Sequence, residues 1–253
     1  MNRHGISAIY RFEMARWGRT LWQSLITPVI TTALYFVVFG SALGSRMTEM
    51  EGIPYGSFIV PGLTLLAVFM QSIFNASFGI YFPKFTGTIY ELLSAPISSF
   101  EAVLAYVGAA VTKSLILALI TLATAALFVD VRLDHPLLMI LFLIAITTGF
   151  CLLGFVIGIW AQNFEQLQVV PMLIVTPLTF LGGAFYSVNA LAEPWRSVTL
   201  FNPVVYLISG FRWTFFGTAD VDVWVSLAAT LSFFLICLAV VTWMFRTGYR
   251  LKN

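Results

Sequence analysis

Residues 136–162 read PLLMILFLIAITTGFCLLGFVIGIWAQ, an uncharged run between Asp134 and Glu165. As a helix it is about 40 Å long, enough to cross the ~30 Å hydrocarbon core of a bilayer. The apolar residues are continuous rather than alternating, which excludes a barrel strand. Gly154 and Gly158 within it form a small-xxx-small pair, the ordinary chemistry of close helix packing. Similar runs recur along the chain. They predict helices at about 21–44, 58–79, 102–128, 167–186 and 223–245, so six spans in all.

The composition agrees. Of 253 residues 60% are hydrophobic and 9% charged, and mean hydropathy is +0.94. A soluble domain carries about 25% charged residues, and one of this length cannot bury so much apolar surface. This excludes a soluble enzyme, a disordered chain and a nucleic-acid binder. Cys151 and Cys237 lie inside apolar runs and define no disulfide framework. The first apolar run starts near residue 21 and is too long for a cleaved signal, so it is read as a span. No linker or repeat divides the chain, and 1–253 is read as a single membrane domain.

Charge placement sets the orientation. Arg3, Arg11, Arg16, Arg19, Lys84, Arg246, Arg250 and Lys252 fall on one side of the predicted spans, and Arg46, Arg132, Arg196 and Arg212 on the other. The positive-inside rule then places both termini in the cytoplasm. Within 188–222 the stretch 203–216 is apolar except for Arg212 and too short to span, so it reads as a re-entrant or interfacial segment on the outer side. Residues 3–20 carry Ile6, Ile9, Tyr10, Met14, Trp17 and Leu21 on one helical arc, with Arg11, Arg16 and Arg19 opposite. This is an interfacial helix, interrupted slightly by Phe12 and Glu13. It serves as a surface anchor, and a contact with a cytoplasmic partner is compatible with that.

Catalytic motifs do not stand out. The nearest approach to a phosphate loop, GAAVTKS at 108–114, lacks the glycine before its lysine and lies inside a predicted span. All eleven Asp and Glu are placed at or outside span ends, which counts against a proton- or sodium-coupled carrier. Lys113 is the one mid-span charge. Either it serves a functional site, or it pairs with a carbonyl or carboxylate inside the bundle or snorkels. Gln71, Phe74, Asn75 and Phe78 share a helical face, which points to other helices or to a polar path. Pro171 and Pro177, followed by Gly182 and Gly183, predict a kinked fifth span.

The loop after the second span reads FPKFTGTIYELLSAP at 82–96. Thr88 is in place to cap a short helix with Glu91 as its capping-box acid, ended by Pro96. Ile89, Leu92 and Leu93 then form an apolar patch suited to docking. This loop, with FIVPG at 58–62, PLTFLGGAFY at 177–186, and LFNPVVY at 200–206 followed by Gly210, Phe211 and Arg212, resembles the ABC-2 type permeases. These are membrane subunits of ATP-binding-cassette exporters, and the likeness covers nearly the whole chain. It is closest to the small bacterial permeases of drug, nodulation-factor and polysaccharide export.

The resemblance implies an all-α integral membrane fold, with six spans, an N-terminal interfacial helix and an outer re-entrant hairpin. It implies a homodimer paired with two copies of a separate ATPase that binds ATP and Mg, since no nucleotide site is read in this chain. Thr88, Ile89, Glu91, Leu92, Leu93 and Pro96 would form the coupling helix, flanked by Arg11 and Arg16. Gln71, Phe74, Asn75, Phe78, Lys113, Phe180 and Phe185 would line the path of an amphipathic, lipid-linked, glycan or drug-like substrate. Asn202, Pro203, Tyr206 and Arg212 would belong to the outer hairpin. The rival classes are a secondary transporter or channel, which needs membrane-depth carboxylates or repeats, and a membrane-embedded lipid-modifying enzyme, which needs clustered His, Asp or Glu. The expected location is the bacterial inner membrane.

Overall fold

The computed structural model describes residues 2–39 and 49–250. The chain is mostly helical, in the order α1 (Arg3–Arg19), α2 (Leu21–Val38), α3 (Tyr55–Phe58), α4 (Val60–Thr86), α5 (Ile89–Ser94), α6 (Ser99–Ala125) and α7 (Pro136–Trp160). After these come α8 (Gln166–Val170), a π-helical turn (Pro171–Val175), α9 (Thr176–Leu181), α10 (Trp195–Leu200), α11 (Pro203–Phe216) and α12 (Val223–Thr247). A two-residue antiparallel ladder, β1 (Glu49–Met50) with β2 (Ile53–Pro54), precedes α3.

Five described helices are long and apolar enough to cross a membrane: Leu21–Val38, Tyr55–Thr86, Ser99–Ala125, Pro136–Trp160 and Val223–Thr247. The expected fifth span at 167–186 differs. It is a shorter helical run, Gln166–Leu181, which stops at Gly182. Pro177 cannot donate to the carbonyl one turn back, and the helix widens instead, with the Thr176 amide and hydroxyl both directed at the Pro171 carbonyl.

Other boundaries shift for identifiable reasons. The second span continues past residue 79 to Thr86, taking in Phe82–Thr86, which charge had assigned to the loop. Lys84 does not end the helix because its Nζ donates to the carbonyls of Ile159 and Ala161, at 2.8 and 2.9 Å. With Tyr81 on Gln162 O and Arg250 on Trp160 O, it satisfies orphan carbonyls at the C-terminus of α7. Gly87, at φ +79°, terminates α4. The third span starts earlier than 102, at Ser99, behind a capping box between Ser98 and Glu101. The fourth ends at Trp160 and the last runs on to Thr247. Within the first span, residues 40–44 lie outside the described residues, as do Arg46 and Lys252.

α4 is the central helix. In its most apolar stretch 78% of residues are buried, against 11% in α2 and 22% in α12, which are peripheral. α7 lies against α4 because Gly154 and Gly158 let the backbones touch. A Cβ at Gly154 would sit 2.5 Å from Ile73 O, and one at Gly158 2.4 Å from Ser77 O. The core between them is aromatic, with Phe69 stacked on Phe150 at 4.0 Å. Ile26, Ile30, Leu34 and Val37 on α2 are exposed, as are Leu231, Leu235 and Ile236 on α12. Apolar side chains turned outward on peripheral helices are those of a protein solvated by lipid.

Candidate transport groove and coupling end

α1 keeps Ile6, Ile9, Tyr10, Met14 and Trp17 half-buried and Arg11 and Arg19 exposed, as the sequence had indicated, and only Arg16 departs from that division. The helix packs lengthwise along α6. The Asn2 amide donates to Glu101 Oε1 at 2.5 Å, Tyr10 Oη to Thr112 Oγ1 at 3.0 Å, and Lys113 Nζ to Glu13 Oε2 at 3.0 Å. Glu13, only 1% exposed, is therefore at the centre of the packed face rather than an interruption of it. Glu13 precedes the first span in the chain, as expected, yet it is buried against the middle of α6. Lys113 thus has a carboxylate partner inside the bundle, and it also borders a cavity. Arg16 turns inward too. Its Nη2 donates to Glu13 Oε2 at 2.7 Å, and its guanidinium lies 5.1 Å from the centre of the Phe78 ring. Arg11 is exposed.

The predicted face of α4 borders this cluster. Phe74, Phe78 and Phe82 stack in sequence at 5.8 and 5.5 Å. Gln71 Nε2 donates to Asn75 Oδ1 at 3.3 Å, and Asn75 Nδ2 to Ser114 Oγ at 3.4 Å. Two cavities lie along the face. The inner one, of about 110 Å³, is lined by Arg16, Trp17, Thr20, Ser24, Gln71, Phe74, Asn75, Phe78 and Lys113. The outer one, of about 310 Å³, lies between α2, α4 and α9, where Thr31, Tyr35, Ala67, Met70, Gln71 and Phe180 are among its walls. Gln71 belongs to both. Phe180 stacks on Phe185 at 5.0 Å, and Phe185 meets Tyr35 and Phe39 at 6.0 and 5.2 Å. Six of the seven residues singled out for a path thus line one or other of two cavities that meet at Gln71, a groove apolar toward α9 and cationic toward α1, and Phe185 lies behind Phe180.

At the other end of α4, the helix α5 differs from expectation in its capping. Thr88 makes no cap hydrogen bond to the helix. Its hydroxyl lies 3.0 Å from that of Thr86 and donates to Pro83 O at 3.4 Å. The capping box forms one helix later, at Ser98 and Glu101. Ile89, expected to be exposed, is 3% exposed and packs into the cluster that holds Ile80, Val103 and Tyr106. Leu92 is half-buried, while Tyr90, Glu91 and Leu93 are exposed. Pro96 follows the helix, and its carbonyl accepts from Asn2 Nδ2 at 3.2 Å, so α1 is tied to the exit of α5. Arg16 lies with the groove, away from this contact.

The segment before α12 is built on buried polar contacts. Asn202 caps α11, accepting from the Val204 amide at 2.9 Å and donating through Nδ2 to Leu178 O at 2.6 Å, which anchors α11 to α9. Pro203 occupies the first turn, where no amide donor is needed. Tyr206 Oη donates to Leu200 O at 2.9 Å. Arg212 is 1% exposed and pairs with Asp220 at 2.8 Å. It also donates to Gly183 O and lies 4.0 Å from the Phe58 ring centre. The Ser187 hydroxyl contacts both Asp220 and Glu51. These partners draw α3, the Gly182–Gly183 turn and α11 together.

The fold and groove define a class: a polytopic helical membrane protein of the transporter kind. The chain belongs to the ABC-2 type transporter family, whose model matches residues 4–216. It is 35% identical over 238 residues to the inner membrane transport permease YadH of Escherichia coli (strain K12), covering 94% of this chain and 93% of that one. It is 24% identical to nodulation protein J of Rhizobium meliloti (strain 1021), covering 95% and 90% of the two chains. A third relative is nodulation protein J of Rhizobium leguminosarum bv. trifolii, at 26% over 220 residues. The chain is therefore a transport permease.

Proposed function

We propose that this permease is the membrane half of an exporter driven by a separate ATPase, which binds ATP and Mg. The observation that carries the reading is α5. It is a short helix between two long ones, pinned by buried Ile89, with Tyr90, Glu91 and Leu93 turned outward at the inner end of the bundle. An apolar and acidic ridge of this kind suits a groove on a soluble partner.

In this reading two permeases pair with two ATPases in the bacterial inner membrane, with both termini cytoplasmic. Gln166–Leu181 is the sixth span, about 24 Å long at 1.5 Å per residue. The pair α10 and α11 enters from the outer surface and returns to it. ATP binding draws the ATPases together, α5 passes the movement to α4 and α6, and α1 follows α6 through its Asn2 and Glu13 contacts. Substrate passes along the α4 groove, whose rings and amides suit an amphipathic, lipid-linked, glycan or drug-like molecule.

The test is purification of the tagged permease from its native operon in mild detergent. An ATPase chain carrying a phosphate loop, recovered in equal amount, is the expected result. Permease that supports transport with no ATPase bound would overturn the proposal.

A further inference from the structure

The inner cavity carries an electrostatic imbalance. Arg16 and Lys113 line it, and no described carboxylate does. Glu13 is shared by both cations through its single oxygen Oε2 and lies outside the cavity lining. The triad thus bears a net charge of about +1, with Glu13 and Lys113 buried and the partly exposed Arg16 bringing the excess positive charge to the cavity wall. The Arg16 guanidinium is held by Glu13 through Nη2 and lies against Phe78, with a quarter of the side chain accessible. The groove changes character over a short distance. Beyond Gln71 the walls are Leu63, Leu66, Ala67, Met70 and Phe180.

We infer that this cavity binds the acidic headgroup of an anionic amphiphile, with the anion beside Arg16, Lys113 and the amides of Gln71 and Asn75, and the apolar tail along the outer cavity. The inference rests on the groove being the substrate path and narrows that reading to acids. Arg16 is the selecting residue and Lys113 supports its charge. Glu13 keeps the two cations together when the site is empty.

The probe is cis-parinaric acid compared with the matching alcohol, read by energy transfer from tryptophan in the purified permease–ATPase complex in nonionic detergent. Trp17 lines the inner cavity. The acid is expected to bind about tenfold more tightly than the alcohol, the effect of one charge-assisted hydrogen bond. Arg16→Gln should remove that preference and leave alcohol binding unchanged. Gln71→Glu, nearly isosteric and on the groove wall, should weaken the acid by a similar factor and spare the alcohol. Ala67→Phe fills the apolar half and reports on the path itself. Equal binding of both probes, lost together in Ala67→Phe, overturns the acid inference and keeps the path. Binding of both probes that is indifferent to Ala67→Phe, Arg16→Gln and Gln71→Glu overturns both.

Discussion

Glu13 and Lys113 provide a quantitative test of how α1 is held. Their contact is 3.0 Å, and their side chains are 2% and 4% exposed. At an effective dielectric constant near 20 the Coulomb attraction over that distance is about 5 kcal/mol, opposed by desolvation of both groups. The two single substitutions are not equivalent, because Arg16 also holds Glu13, at 2.7 Å. Glu13→Gln leaves two neighbouring cations and no anion, at a cost of about 3–5 kcal/mol, as for a buried charge stripped of its partner. Lys113→Met leaves the carboxylate paired with Arg16 and costs about 2 kcal/mol, the loss of one charged hydrogen bond. The double variant removes both members and should cost less than the sum by about 2–3 kcal/mol. Equilibrium unfolding of the purified permease by dodecyl sulfate in mixed micelles, followed by circular dichroism, measures all three. Losses that add to within about 0.5 kcal/mol would refute the pairing. A Lys113→Met variant costlier than Glu13→Gln would refute the three-charge arrangement.

Three further predictions follow from packing and capping. Gly154→Leu forces a side chain into the Ile73 backbone and should abolish monodisperse elution in detergent, whereas Gly108→Leu, where a Cβ meets nothing within 4 Å, should elute as the parent does. Ser98→Ala should cost about 1 kcal/mol in the same unfolding assay by removing the α6 cap, and Thr88→Ala, whose hydroxyl caps nothing, should cost less than half of that. Asp220→Asn strips the charge partner from buried Arg212 and should destabilise by about 3–5 kcal/mol, largely relieved in the Asp220→Asn/Arg212→Met double variant.

Much of the architecture was legible because hydropathy over 20 or more residues has few alternative explanations. The long helices follow from it, and the glycine-ended segment with its π-helical turn follows from Pro171, Pro177 and Gly182. Helix ends were less legible where a charge was taken for a boundary. Lys84 is spent on the carbonyls of α7, a contact between residues 75 and 77 positions apart. The groove face of α4 was readable from the spacing of Gln71, Phe74, Asn75 and Phe78. Glu13 was missed because amphipathicity was read from apolar residues alone, although it follows Ile6, Ile9 and Tyr10 at helical spacing. The cap at Ser98 was available by the rule applied to Thr88. It forms there because Thr88 follows Gly87 in a tight turn and adopts helical dihedrals already, whereas Ser98 is extended and leads directly into a long helix. The network of Arg212, Asp220, Ser187 and Glu51 joins segments far apart in the chain, and no local pattern announces it.

The central claim is that a separate ATPase drives transport through α5, and it is tested most directly by ATP hydrolysis in the reconstituted complex. Leu93 is exposed on α5 and Glu91 lies beside it. In proteoliposomes holding permease and ATPase, Leu93→Asp and Glu91→Ala are expected to insert normally, to lose transport, and to lose the stimulation of hydrolysis by substrate. Full substrate-stimulated hydrolysis and transport in both variants would contradict the account.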